Sequence, residues 1–378
     1  VFLKEMNERM EIRSVTVREL EMTMKQPFAT SFGSMQTRHF TIVEVTDEQG
    51  NRGYGEGVAF PAPFYTEETT QTSIHIMHEF LIPLLKGKRI SHPDEIRELF
   101  RPVRKNNMAK AAVECAVWDC FARREGISLA SALGGTKQTI GTGISIGLQP
   151  SAAALNERIA DSLAAGYQRI KVKVKPGRDI GLLSEIREAF PDIPLMADAN
   201  SAYSLDDLEL LKEFDRFGLL MIEQPLGTDD IIDHAVLQSE LKTPICLDES
   251  ILSAEDARKA IGLGSCRVVN VKIGRVGGLT EAKEIHDVCQ AAGIPVWCGG
   301  MLEAGVGRAH NIALTSLPNF TLPGDTAGSA NYWHHDIIVP EVTVNHGEIT
   351  VPDSPGTGFD IDWREVERHT IRVIHTEL

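Results

Sequence analysis

The chain has 378 residues, 38 of them Lys or Arg and 53 Asp or Glu, for a formal net charge of −15. That length accommodates two domains, or one barrel with an appendage, and a core large enough to need no disulfide or structural metal. An acidic balance without a basic stripe argues against nucleic acid and anionic membranes as partners, and the longest apolar runs fall well short of the ~20 residues that span a bilayer.

In chain order, residues 1–10 read as an N-terminal extension outside the fold. Lys4, Glu5, Glu8 and Arg9 stand where a secretory leader would be apolar. Residues 11–60 predict antiparallel strands: Thr41 to Val45 alternates, Asp47-Glu48-Gln49-Gly50-Asn51 is a turn, and Gly53 to Val58 follows. Helices are expected over 67–86, 94–101 and 108–124, the last with an apolar stripe of Ala112, Cys115, Ala116, Trp118 and Cys120. From about residue 140 the pattern changes to short apolar strands alternating with amphipathic helices. The strand candidates are Ile144–Leu148, Arg169–Val174, Leu195–Asn200, Leu219–Gln224, Ile245–Glu249, Val268–Ile273, Val296–Gly299 and Phe320–Leu322. Corresponding residues recur at a steady interval: Lys173, Asp198, Glu223 and Asp248 are each 25 apart, and Lys272 follows 24 later. One βα unit of a parallel barrel needs about this length. Beyond 330 the alternation stops, and residues 337–351 look like strands returning to the N-terminal part. The six cysteines form no C-x-x-C pair or zinc spacing, so they read as reduced core residues of a cytoplasmic protein.

Side chains alternate along a strand. Lys171 and Lys173 therefore share one face of their strand and the aliphatics the other. Asp198 shares a face with Asn200, Glu223 with Met221, Asp248 with Cys246, and Lys272 with Asn270. The aliphatic set belongs under the helices, so the charged set should point into the barrel. Each charged residue also lies near the C-terminal end of its strand, where barrel active sites are built. Three carboxylates from successive strands suit a hard cation such as Mg²⁺. Lys173 and Lys272 come from opposed strands and can reach both faces of a substrate α-carbon. The cation would stabilise the enediolate formed when the α-proton leaves. A lysine base needs a lowered pKa, which neighbouring positive charge would supply. Glu249 alternates to the other face, as a group behind the carboxylates or a helix cap. Asp325 is compatible with a turn role alone. Gly305-Val306-Gly307 lacks the third glycine and preceding strand of a dinucleotide loop.

With Lys171-Val172-Lys173, Asp198-Ala199-Asn200, Glu223-Gln224-Pro225, Asp248-Glu249-Ser250 and Lys272, the sequence resembles the enolase superfamily in its muconate-lactonizing subgroup. Within it, the runs Asp198–Tyr203, Met221–Leu226, Cys246–Ile251, Pro295–Met301 and Leu317–Asp325 are similar to the o-succinylbenzoate synthase / N-succinylamino acid racemase family. The resemblance implies an α/β fold: a modified (β/α)7β TIM-like barrel over 139–325, with an α+β capping domain from 11–138 and a C-terminal segment, 326–378, returning to it. It implies Asp198, Glu223 and Asp248 as ligands of Mg²⁺, replaceable by Mn²⁺ or another divalent ion. Lys173 would be the base and Lys272 its opposite number. Lys171 would hold the substrate carboxylate. Asn200, Ser145, Gly300, Met301 and Leu302 would line the pocket, with Phe28, Phe32 and Phe64 closing it. The implied activity is dehydration to o-succinylbenzoate in menaquinone biosynthesis, racemisation of N-succinylamino acids, or both. The implied partners are a small-molecule carboxylate and further copies of the chain in a homo-oligomer. Two positions depart from the family pattern, Ile273 and Arg178, where Pro and Trp are usual. A muconate-type cycloisomerase would share the same charged set. A dipeptide epimerase would carry Asp-x-Asp where this chain has Gly324-Asp325-Thr326. A non-catalytic binding protein would have no use for so many buried charges.

Overall fold

Long alternating runs at the start of the chain build an antiparallel sheet. The computed structural model describes residues 9–30, 33–147 and 149–378, and side chains outside 28–34. Strand β1 (Met10–Thr30) pairs with β2 (Gly33–Asp47), and β2 with β3 (Arg52–Gly57). The turn between β2 and β3 is held by the Asp47 carboxylate, which accepts from the backbone N–H groups of Gln49 (2.9 Å) and Asn51 (2.8 Å). Helix α1 (Asn107–Glu125) lies directly against β3. Gly53 and Gly55 permit this, because a Cβ at either would collide with helix backbone at Cys120, Ala116 or Ala112. Glu68 accepts from the first N–H groups of α1, at Met108 (2.8 Å) and Ala109 (3.0 Å).

The second half carries seven parallel strands: β4 (Ile144–Ile146), β5 (Ile170–Lys173), β6 (Leu195–Asp198), β7 (Ile222–Glu223), β8 (Ile245–Leu247), β9 (Val268–Val271) and β10 (Val296–Cys298). They are hydrogen-bonded in chain order. Between and after them run α2 (Ala152–Ala164), α3 (Ile180–Ala189), α4 (Leu208–Lys212), α5 (Ile232–Glu240), α6 (Ala254–Leu263), α7 (Leu279–Ala291) and α8 (Gly305–Thr315). The fold is thus mixed α/β, a parallel barrel sheet with an antiparallel capping sheet.

The predicted face alternation holds. Ile170, Val172, Leu195, Ala197, Ile245, Leu247, Val269 and Val271 join the large aliphatic core. Met196, Met221, Cys246, Val268 and Trp297 form a separate inner layer that plugs the barrel. Each of Asp198, Glu223 and Asp248 stands two residues beyond a member of that layer.

Three expectations are corrected. Phe320–Leu322 does not form an eighth strand, since Pro323 offers no N–H for a ladder. The segment just beyond closes the ring with single contacts: Gly143 N–H donates to Gly324 O (2.7 Å) and Asp325 N–H to Cys298 O (2.8 Å). The strand expected over Leu219–Gln224 shortens to Ile222–Glu223, because Gln224 turns to φ +39° and Pro225 follows. The strands near 337–351 do not return to the N-terminal sheet. Ile338–Val339 pairs with Asp360–Ile361, and Glu348–Thr350 with Thr139–Gly141. The strand that does return is β11 (Thr370–Glu377), antiparallel to β1. The six cysteines are free and buried, as expected. Leu148, the last residue of the first predicted barrel strand, lies outside the described residues.

The two sheets are joined by buried carboxylates on helix N-termini. Glu114 of α1 accepts from the N–H groups of Leu279 (2.7 Å) and Thr280 (2.9 Å) at the start of α7. Glu56 of β3 accepts from Ala304 (2.9 Å) and Gly307 (2.7 Å) at the start of α8. Both complete orphan donors and meet the positive end of a helix dipole.

Candidate active site

A cavity of about 300 Å³ opens at the C-terminal ends of the barrel strands. Its wall includes Ser145, Lys171, Lys173, Asp198, Asn200, Lys272, Gly300, Met301 and Leu302, nine of the residues singled out in the sequence. Phe64 lines it from the capping side; the Phe28 side chain and Phe32 lie outside the described residues. Glu223, Asp248 and Glu249 are buried behind the wall and reach it through hydrogen bonds.

The lysines and carboxylates interlock. Lys173 Nζ donates to Asp198 Oδ2 and Asn200 Oδ1, both at 2.6 Å. Lys171 Nζ lies 2.7 Å from Asp325 Oδ2, 3.2 Å from Glu223 Oε2 and 3.6 Å from Asp198 Oδ2. Lys272 Nζ donates to Asp248 Oδ2 (2.6 Å) and to Tyr65 Oη (3.1 Å). Asn270 Nδ2 holds Glu223 Oε1 at 2.7 Å. The amide of Gln224, fully buried, accepts from Asp248 N–H (2.9 Å) and so fixes the next strand end. Glu249, read as a group behind the carboxylates or a helix cap, accepts from Asn200 Nδ2 (3.3 Å); it reaches the cavity side because β8 ends at Leu247 and the alternation with it.

Charge states follow from these contacts. Burial works to raise the Asp198 carboxyl, but Lys173 and Lys171 outweigh it and bring it down to about 2. Burial dominates at Glu223, with Asp198 adding repulsion, and its carboxyl is raised. Glu249 is also raised by burial. The expectation of a lowered lysine is not met at Lys272: burial pulls it down, but Tyr65, Glu249 and Glu223 hold it above the usual ammonium range. Lys171 is raised in the same way, against burial, by Asp325, Glu223 and Asp198.

The donor set suits a hard divalent cation: three carboxylates at neighbouring strand ends, plus the buried oxygens Glu249 Oε2 and Asn270 Oδ1, which have no hydrogen-bond partner. Among the described residues no three acidic, His or Cys side chains close into a compact ligand group. Each carboxylate is turned toward a lysine or arginine, so a cation would take over the counter-charge that these side chains supply.

Several site groups were not singled out in the sequence. Tyr65 stacks its ring 4.6 Å under the Lys272 ammonium and donates to Asp248 Oδ1 (3.1 Å). Arg275, fully buried, also binds Asp248, and donates to Ile251 O (2.9 Å). Asp325 is no mere turn residue; it binds Lys171 and Arg169. Glu303, Arg308, Asn311 and Tyr332 complete the far wall. Asn200, Ser201, Gln224 and Leu302 have φ of +42°, +60°, +39° and +56° at the cavity ends of their strands. Such backbone is costly for non-glycine residues and gathers at functional sites. Of these, Asp325 reads in the sequence as a turn residue, and Arg275 carries a signal as a cation three residues beyond Lys272.

A parallel barrel with carboxylates and lysines at its C-terminal rim, roofed by a second sheet, is the architecture of enolase-type enzymes. The chain belongs to the enolase superfamily, in the mandelate racemase / muconate lactonizing enzyme family: residues 12–134 match that family's N-terminal domain and residues 154–366 the Enolase C-terminal domain-like family. It is 60% identical over 359 residues to the o-succinylbenzoate synthase of Geobacillus kaustophilus, covering 95% of this chain and 96% of that protein. It is 46% identical over 362 residues to the N-succinylamino acid racemase of Thermus thermophilus, covering 96% and 98%. An enolase superfamily member from Listeria innocua superposes with a TM-score of 0.95 at 46% identity, covering 97% of this chain and 99% of that one.

Proposed function

We propose that this chain is a lyase that makes o-succinylbenzoate by dehydrating 2-succinyl-6-hydroxy-2,4-cyclohexadiene-1-carboxylate, with N-succinylamino acid racemisation as a second outcome of the same site. The observation that carries the reading is the pair Lys173 and Lys272, on opposite sides of one cavity, in a chain 60% identical to an o-succinylbenzoate synthase. The likeness to the Thermus racemase supports the second outcome.

The divalent cation, read as Mg²⁺, would be held by Asp198, Glu223 and Asp248. When bound it supplies Lewis-acid stabilisation of the charge that develops on the substrate carboxylate. Lys171 orients that carboxylate. Lys173 takes the α-proton at Nζ, Asp198 and Asn200 having fixed its direction. In dehydration the same Nζ returns the proton to the departing hydroxyl, while the Lys272 ammonium faces the developing negative charge. In racemisation Lys272 delivers a proton to the opposite face. Phe64, Met301 and Leu302 exclude water from the reacting carbon. In this reading 139–325 is the catalytic barrel, and 11–138 with 326–378 is its cap.

The experiment is loss of the cyclohexadiene substrate with and without chelator. Chelator-sensitive turnover is expected. A folded, Mg²⁺-loaded sample that leaves the substrate untouched but racemises N-succinylamino acids would reassign the chain to the racemase.

A further inference from the structure

Lys171 sits among three carboxylates, and their distances are unequal. The nearest is Asp325 Oδ2 at 2.7 Å; Glu223 and Asp198 follow at 3.2 and 3.6 Å. The Asp325 position is fixed from several sides. Its backbone N–H donates to Cys298 O (2.8 Å), and its Oδ1 accepts from Arg169 Nη2 (2.6 Å). Arg169 is itself anchored on Pro323 O at 3.2 and 3.3 Å. Arg169 and Lys171 both lie 4.9 Å from the Trp297 ring centroid. Gly143 lets the guanidinium in, since a Cβ there would meet it. The result is a carboxylate at the cavity edge, tied on three sides, that gives one oxygen to a buried arginine and the other to a lysine of the cavity wall.

That arrangement settles a competition. A buried ammonium pairs with whatever carboxylate is in reach, because an uncompensated charge there is costly. Without Asp325, the Lys171 ammonium would move the few tenths of an ångström onto Glu223 and Asp198. We propose that Asp325 is a positioning residue: it draws Lys171 toward itself, weakening that lysine's hold on Glu223 and Asp198 in favour of the divalent cation, and sets the ammonium where the substrate carboxylate arrives. The inference rests on the reading of Asp198 and Glu223 as cation ligands, and assigns Asp325 a role in cation affinity without contact to the cation.

The test is calorimetric titration of Mn²⁺ into chelator-stripped wild type, Asp325→Asn, Lys171→Met and the double variant. Asparagine keeps the shape and an acceptor for Arg169, but removes the negative charge and puts an N–H donor where Lys171 had an acceptor; Asp325→Ser serves if that variant does not fold. Asp325→Asn should bind Mn²⁺ about tenfold more weakly, the scale of one charge-assisted hydrogen bond. Lys171→Met should bind as tightly as wild type or tighter, and the double variant should match Lys171→Met, because the aspartate acts only through the lysine. Asp325→Asn should also raise KM for the carboxylate substrate more than it lowers kcat, and Asp325→Glu should recover part of the Mn²⁺ affinity. Wild-type affinity in folded Asp325→Asn, or a double variant as weak as Asp325→Asn, overturns the inference. Mn²⁺ binding that survives unchanged in Asp198→Asn overturns the ligand reading beneath it, a separate result.

Discussion

Tyr65 offers a way to separate the two lysines. Its hydroxyl accepts from Lys272 Nζ at 3.1 Å and donates to Asp248 Oδ1 at 3.1 Å, while its ring lies 4.6 Å from the ammonium. Tyr65→Phe keeps the ring, and with it the cation–π contact and the apolar wall. It removes three hydrogen bonds to ionised groups, the longest of them from Arg275 Nη1 (3.5 Å), leaving Asp248 with Lys272 and Arg275 as partners. Asp248 thus stays satisfied, and the loss falls mainly on the orientation of Lys272. One hydrogen bond to a charged group is worth roughly 1.5–3 kcal/mol, and ~2 kcal/mol corresponds to roughly 30-fold in rate. Lys173 makes its contacts with Asp198 and Asn200 and none with Tyr65, so it should be spared. The assay is deuterium uptake at the α-carbon of each enantiomer of an N-succinylamino acid in D₂O, followed by proton NMR. Exchange from the Lys272 face should fall roughly 30-fold, and exchange from the Lys173 face by less than about threefold, within the error of the hydrogen-bond scale. Equal slowing on both faces, with Mn²⁺ affinity unchanged, would refute the reasoning, since the hydroxyl would then be acting on the whole cavity.

Lys173→Ala should lower exchange on its own face and dehydration alike by about 10²–10⁴-fold, the usual worth of a positioned acid–base group, with an unchanged circular dichroism spectrum; near-normal dehydration would remove Lys173 from the mechanism. Chelator should lower the melting temperature by several degrees, since saturation at ~100 Kd contributes about 2.7 kcal/mol. Asp248→Asn should shrink that shift, and a full shift in the variant would exclude Asp248 as a ligand. Burial, with repulsion from Glu303, raises the Glu56 carboxyl from its ordinary 4.5 to about 8, against the Gly307 and Ala304 donors and Arg38. A carboxyl raised on folding stabilises the fold fully below the unfolded value and loses that contribution as pH rises through the folded one. The stability of wild type relative to Glu56→Gln should therefore fall between pH 5 and pH 8, by at most ~4 kcal/mol. Denaturant melts giving one difference at both pH values would show that Glu56 ionises normally.

The sequence carried the site further than it carried the strands. Periodic spacing placed Lys173, Asp198, Glu223, Asp248 and Lys272 at successive strand ends, because a βα unit has nearly constant length and a strand alternates strictly. The same rule turned Glu249 to the far face, although its reading as a group behind the carboxylates agrees with its contact to Asn200; alternation applies only while the strand lasts, and β8 stops at Leu247. It also overran at Gln224, where a left-handed residue ends β7. Tyr65, Arg308 and Tyr332 could not be found in this way. They come from the capping side and from beyond the barrel strands, and no local period relates them to the lysines. Asp325 is the instructive case. In sequence it follows Pro323-Gly324 and looks like a turn; its role exists only because that segment closes the ring beside β10 and brings it under Lys171.

The two lysines are not equivalent, and this bears on how one cavity can serve two reactions. Lys173 is the more open, with 13% of its side chain exposed against 9% for Lys272, and its partners are one carboxylate and one neutral amide. Lys272 is enclosed by Asp248, the Tyr65 hydroxyl and the Tyr65 ring, and is held charged. A lysine held charged is well made to face a developing anion and poorly made to remove a proton. Dehydration needs only the first task from Lys272, whereas racemisation needs both in turn. Lys272 is thus placed for the first task, while Asp248 and the Tyr65 hydroxyl stand against the second. If so, at saturating Mn²⁺ α-proton exchange should be faster from the Lys173 face than from the Lys272 face. Equal exchange rates on the two faces would show that the enclosure of Lys272 does not set the two lysines apart.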